Sequence, residues 1–104
     1  MSVTESWTRI HTRAAFCAFI ADCRFEGPGL RFVIHQDGRL DGTAEGVAFE
    51  GSWEWKQGCF CRILNHPDTP GERECEIIET RGAQMRYTRD GGQCDAHVVR
   101  KVPL

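Results

Sequence analysis

The chain has 104 residues, with 13 basic and 15 acidic side chains and 40% hydrophobic residues, the composition of one ordinary globular domain. At that length folding hides roughly 65% of the extended chain's surface, which suits a single domain over residues 1–104 and leaves too little for two cores. A formal charge of -2 offers no field for phosphate backbones or anionic lipid, and no apolar run approaches the roughly 20 residues that cross a bilayer, so nucleic acid is disfavoured and a helical membrane span is excluded.

The first element is a helix. Residues from about 4 to 23 contain no Gly or Pro, and Phe16, Phe19, Ile20 and Cys23 fall at i, i+3, i+4 and i+7, one apolar helical face. Ser2 with Glu5 has the capping-box form and Thr12 is a second N-cap, so two starts are open. Gly27-Pro28-Gly29 ends the segment. Met1–Thr12 lacks the basic start and apolar middle of a secretory signal, and the expected location is the cytoplasm, with reduced thiols.

From Leu30 onward short alternating runs are separated by turn signals at Asp37-Gly38, Glu45-Gly46, Gln57-Gly58, 67–71, Arg81-Gly82 and 90–92. The connections are too short for crossover helices, so the runs read as consecutive antiparallel strands near 30–36, 39–44, 47–56, 59–64, 74–80, 83–89 and 94–102. Alternation assigns one face to Leu30, Phe32, Ile34, Val47, Phe49, Gly51, Trp53 and Trp55. It continues that face through Cys59, Cys61, Ile63, Cys75, Ile77, Met85, Tyr87, Cys94, Ala96 and Val98. The other parity, with Arg31, His35, Asp41, Glu50, Arg62, Glu74, Glu76, Arg86 and His97, is expected to face water. The resulting fold class is mainly β (α+β): a bent seven-stranded meander over about 30–102, or small open barrel, closed by the N-terminal helix. The loop of residues 65–71 is the longest irregular stretch.

Chemistry is sparse. Nucleotide-binding glycine loops, the G-x-S-x-G elbow and H-E-x-x-H are absent, and turn positions explain Asp37 and Asp90, so no enzyme and no cofactor are expected. Cys59, Cys61, Cys75 and Cys94 share the expected inner parity, but they lie along strands rather than on the tight turns of structural zinc sites, and buried thiols without metal are the preferred reading. The loop between Cys61 and Cys75 is centred near Asp68, which sets the two opposite each other as a cross-strand thiol pair. Each histidine, His11, His35, His66 and His97, reads as a surface residue.

Trp53 and Trp55 with Phe32 and Tyr87 form the densest aromatic group, which reads as plain core, as the wall of a ligand site, or as an exposed face for a protein partner, with plain core preferred. Gly51, two residues before Trp53 on the same face, leaves a gap one side chain wide for a ligand or for Phe16 or Phe19, with the helix expected to fill most of it.

Through Asp37-Gly38, Gly51-x-Trp53-x-Trp55, Phe60-Cys61-Arg62, Cys75 and 86–90, nearly the whole chain resembles a group of small proteobacterial proteins of unknown function. Some of that group carry the label dihydrodipicolinate reductase, which implies a dinucleotide domain; this sequence has neither its fingerprint nor its alternating α/β pattern. Many of the group look exported, which implies a bond between Cys61 and Cys75. The G-x-W segment is also similar to one end of calycin-type barrels, an analogy of fold. Three functions compete: a non-enzymatic β domain binding a small apolar or amphipathic ligand between sheet and helix, an interaction module or homodimer, and a thiol-metal or redox protein.

Overall fold

A computed structural model describes residues 6–65, 71, 73–89 and 96–104. Nine strands and one helix are present among them. β1 (Thr8–Arg9) precedes α1 (Arg13–Ile20), and then β2 (Cys23–Gly27), β3 (Leu30–Ile34), β4 (Arg39–Ala44), β5 (Val47–Lys56), β6 (Cys59–Asn65), β7 (Arg73–Arg81), β8 (Gln84–Arg89) and β9 (His97–Pro103) follow as a meander. Every neighbour is antiparallel, and pairing of β9 with β2 closes β2–β9 into an eight-stranded up-and-down barrel. The expected seven-stranded sheet or open barrel is thus corrected to a closed barrel with one added strand, β1, which pairs with the end of β7.

Two strands were not expected: β1 lies inside the span expected to be helix, and β2 begins at its last residue, Cys23. α1 begins where Thr12 accepts a hydrogen bond from the Ala15 amide at 3.2 Å, the second of the two expected caps. Ser2 and Glu5 lie outside the described residues. The helix stops at Ile20 instead of 23, because Ala21 is extended and Asp22 takes a left-handed turn, φ 54°. Cys23 and Phe25 then alternate with Arg24 and Glu26, and both apolar side chains are buried. The edge hydrogen bonds of both β3 and β9 are satisfied by this segment, a gain that a further helical turn could not offer.

Two-residue turns at Glu45-Gly46 and Gln57-Gly58, with both residues at positive φ, join the central hairpins. Directly opposed residues of such a pair point to the same side. Trp55 opposes Phe60, and Trp53 opposes Arg62, so Phe60, Arg62 and Leu64 turn inward. Cys59, Cys61 and Ile63 therefore belong to the outside, contrary to the alternation expected for β6. The inversion carries into β7, where Phe60 opposes Glu76: Glu76 and Ile78 are interior, and Cys75 and Ile77 take the outer parity. On β9, Val99 opposes Met85 and is 3% exposed, while Val98, expected inside, is 43% exposed. Inward Phe32, Ile34, Phe49, Trp53, Met85 and Tyr87 are as expected. Cys94 and the turn at 90–92 lie outside the described residues, as does most of the loop 65–71, with His66 and Asp68.

Gly42 and Gly51 sit on the inner parity of β4 and β5 where neighbouring backbones pass very close. A Cβ at Gly51 would meet the Ile63 carbonyl oxygen at 2.1 Å, and one at Gly42 the Arg31 oxygen at 2.1 Å. The gap expected beside Gly51 is filled by the adjoining strand, and neither Phe16, Phe19 nor a ligand has room there. On the outside, Trp7 lies under the guanidinium groups of Arg81 and Arg86, 4.4 and 4.5 Å from the ring centre, and Arg86 makes two bonds to Glu79 at 3.0 and 2.9 Å.

Candidate functional site

One end of the barrel is sealed by α1. Phe16 is fully buried, with its ring 5.2, 4.9 and 5.3 Å from those of Trp53, Trp55 and Phe60. The indole Nε1 of Trp53 donates to the His35 carbonyl at 2.7 Å and that of Trp55 to the His11 carbonyl at 3.1 Å, so both polar edges are satisfied. Arg13 and Gln36 tie the helix to the β3–β4 turn, through the Gln36 and Cys17 carbonyls at 2.9 and 3.3 Å. These tryptophans are the floor of the barrel.

Above that floor lies a cavity of about 220 Å³. Eight strands make a barrel just wide enough either to fill itself or to hold one small ligand, and this one leaves space. Its walls are Phe32, Ile34, Leu40, Phe49, Phe60, Ile78 and Met85, with Leu30, Ala44 and Leu64 toward the other end of the strands. Of the four residues expected to bind a ligand, Phe32 and Tyr87 line the cavity and meet edge to face at 6.5 Å. Trp53 and Trp55 are not part of its lining.

Three polar side chains interrupt the apolar wall, and the sequence alone points two of them to solvent. Arg62 Nε donates to Glu76 Oε1 at 3.0 Å, and its Nη2 lies 3.5 Å from Glu74 Oε2. Arg89 Nη1 donates to both Glu74 oxygens at 3.0 and 3.1 Å. Glu76 is only 2% exposed. Burial raises its pKa above the ordinary value, while the charge and hydrogen bond of Arg62 act in the opposite direction without overcoming it. Tyr87, also removed from water and beside the Glu76 charge, is pushed up to about 12 and stays a neutral donor.

The thiols are elsewhere. Cys61 and Cys75 are directly opposed, 3.9 Å apart at Cα, as the loop arithmetic requires, and they form a disulfide where reduced thiols were expected. It lies on the outer face of β6 and β7, back to back with Arg62 and Glu76. Among the described residues no group of three or more His, Cys, Asp or Glu is placed to hold a metal. Asp37 caps its own turn, accepting from the Arg39 amide and guanidinium at 3.1 and 2.9 Å, which holds its carboxyl below the usual range. Comparison with protein families, with curated proteins and with solved structures finds no match. Among the described residues no helix is long and apolar enough to cross a membrane.

Proposed function

We propose that this protein is a non-enzymatic binding domain that holds one small, largely apolar molecule inside the barrel. The observation that carries the reading is the cavity of about 220 Å³ whose apolar walls are broken by one paired Arg62–Glu76 group and Tyr87. An apolar protein cavity of ~150 Å³ takes up benzene, so a ligand on the order of ten non-hydrogen atoms fits the space. Among the described residues the lining is mostly aliphatic and aromatic, which suits it to holding an apolar molecule. The ligand sits between walls of the sheet, with α1 as the base of the compartment. The resemblance to small proteobacterial proteins of unknown function belongs to the same proposal and brings no activity with it.

For so small a ligand, affinities in the micromolar range are expected, from roughly 0.5–0.8 kcal/mol per atom. At a hundredfold excess over Kd the bound protein gains about 2.7 kcal/mol, a rise of roughly 10 °C in Tm. Native mass spectrometry of freshly purified protein should retain a small molecule, or take up added small apolar compounds with saturation. Ala44→Leu, which narrows the cavity without adding charge, should weaken uptake while the fold persists. Saturable uptake that Ala44→Leu and Leu40→Phe both leave unchanged would place the ligand somewhere else, and absence of any uptake would remove the function.

A further inference from the structure

The polar wall holds donors that no described residue satisfies. Arg62 spends Nε on Glu76 and Nη2 on Glu74, and no described residue accepts from its Nη1. The Tyr87 hydroxyl, on the same cavity wall, also has no acceptor among the described residues. The charges, by contrast, are matched: Arg62 faces Glu76, and Arg89 faces Glu74. A charged ligand would leave water for a compartment whose ions already have partners, and its charge would stay uncompensated. An amine would in addition lie beside the Arg62 guanidinium, because among the described lining residues the acceptor side chains are Glu76, which is bonded to Arg62, and the Tyr87 oxygen. A pure hydrocarbon would displace water from Arg62 Nη1 and the Tyr87 hydroxyl and offer neither an acceptor in its place.

We propose that the ligand is a neutral molecule with a compact apolar body and one carbonyl-type acceptor, a ketone, amide or lactone, bound by Arg62 Nη1 and the Tyr87 hydroxyl. This rests on the reading of the cavity as a binding site and adds the chemical class. Arg62 is held for the task by Glu76, which fixes the guanidinium from one edge and leaves the other free. Tyr87 is braced between Phe32 and the stacked ring of His97, 5.4 Å away.

The test uses four probes with one eight-carbon chain, namely 2-octanone, octanoate, octylamine and octane, titrated at neutral pH and followed by protein NMR shifts. The ketone should bind about tenfold more tightly than octane, the worth of one hydrogen bond to a charged donor, and more tightly than either ion. In Arg62→Met/Glu76→Met, which removes the pair together and leaves no lone buried charge, octane should still bind and the ketone preference should vanish. Tyr87→Phe should weaken 2-octanone several-fold and leave octane unmoved; it decides the matter if the double variant does not fold. Octanoate or octylamine binding tightest, or equal affinity for all four, would overturn the assigned class and leave the cavity a binding site. Binding of none would overturn both.

Discussion

Gly51 and Gly46 show how the same residue type is held for opposite reasons. At Gly46 the backbone φ is +80° with nothing within 4 Å of an added Cβ, so Gly46→Ala should cost only the left-handed penalty of about 1 kcal/mol. At Gly51 the obstacle is the Ile63 carbonyl, a backbone atom that cannot step aside, so Gly51→Ala should cost about 3 kcal/mol or more, read as a fall in the urea midpoint. Equal losses at the two sites would refute that distinction. Glu76 makes a pH-dependent statement. Its folded pKa lies above the ordinary 4.5, so between those two values the folded chain holds a proton that the unfolded chain has lost. Stability from this group is therefore lowest above the raised value, grows as pH falls through it, and is constant below about 4.5. Against Glu76→Gln, which has no such proton, the wild type should gain in relative Tm on acidification across that window. A wild-type loss relative to the variant would mean that Arg62 outweighs burial.

At the scale of elements, the turns at Asp37-Gly38, Glu45-Gly46, Gln57-Gly58 and Arg81-Gly82, the described strands from Leu30 onward and the β6–β7 register were legible. What failed was the choice of face, and the physical reason is specific. Composition favours Cys59, Cys61 and Ile63 over a set containing Arg62, yet a two-residue turn at Gln57-Gly58 sets Phe60 opposite Trp55 and fixes the face without regard to composition. Following cross-strand partners from the tryptophans would have brought Arg62 and then Glu76 into the cavity. β2 was hidden for another reason: its five residues carry just two apolar inward positions, and the signal for a strand comes from the two neighbours it joins. The helix was foreseen by its Phe16–Ile20 face, and its work is to seal the barrel. Phe16→Ala should cost about 3–5 kcal/mol, because it empties the space among three aromatic rings. The same change should shift tryptophan emission to the red as water reaches the indoles. An unchanged spectrum would show that α1 is not the seal.

Taken whole, the molecule solves the edge problem of a β-sheet by closure. Each of the eight barrel strands has a neighbour on both sides, so a homodimer formed by edge pairing has no open barrel edge to use among the described residues. Ile63 and Val98 are exposed singly on the exterior of two different strands, and Val47 is exposed at the first residue of β5. Polarity is distributed to match: ion pairs such as Arg86–Glu79 and Arg73–Glu54 cover the outside, and one cluster around Arg62 is kept for the interior. The mainly β class follows from turn spacing alone. Closure does not, because it depends on a contact between the two ends of the described barrel.

That contact, β9 against β2, also sets an order of events. Every other strand pairing of the barrel is a hairpin between sequence neighbours, whereas the β2–β9 seam joins segments from opposite ends of the chain and carries the largest loop-closure cost. Hairpins should therefore assemble early and the seam should zip last, on the native side of the folding barrier. In stopped-flow urea jumps, Leu40→Ala in the β3–β4–β5 meander should slow refolding, while Phe25→Leu at the seam should leave refolding nearly unchanged and accelerate unfolding. Slowed refolding from Phe25→Leu would place closure in the nucleus. If the order holds, the lifetime of the closed sheet is governed by five residues on β2 that carry no chemistry of their own.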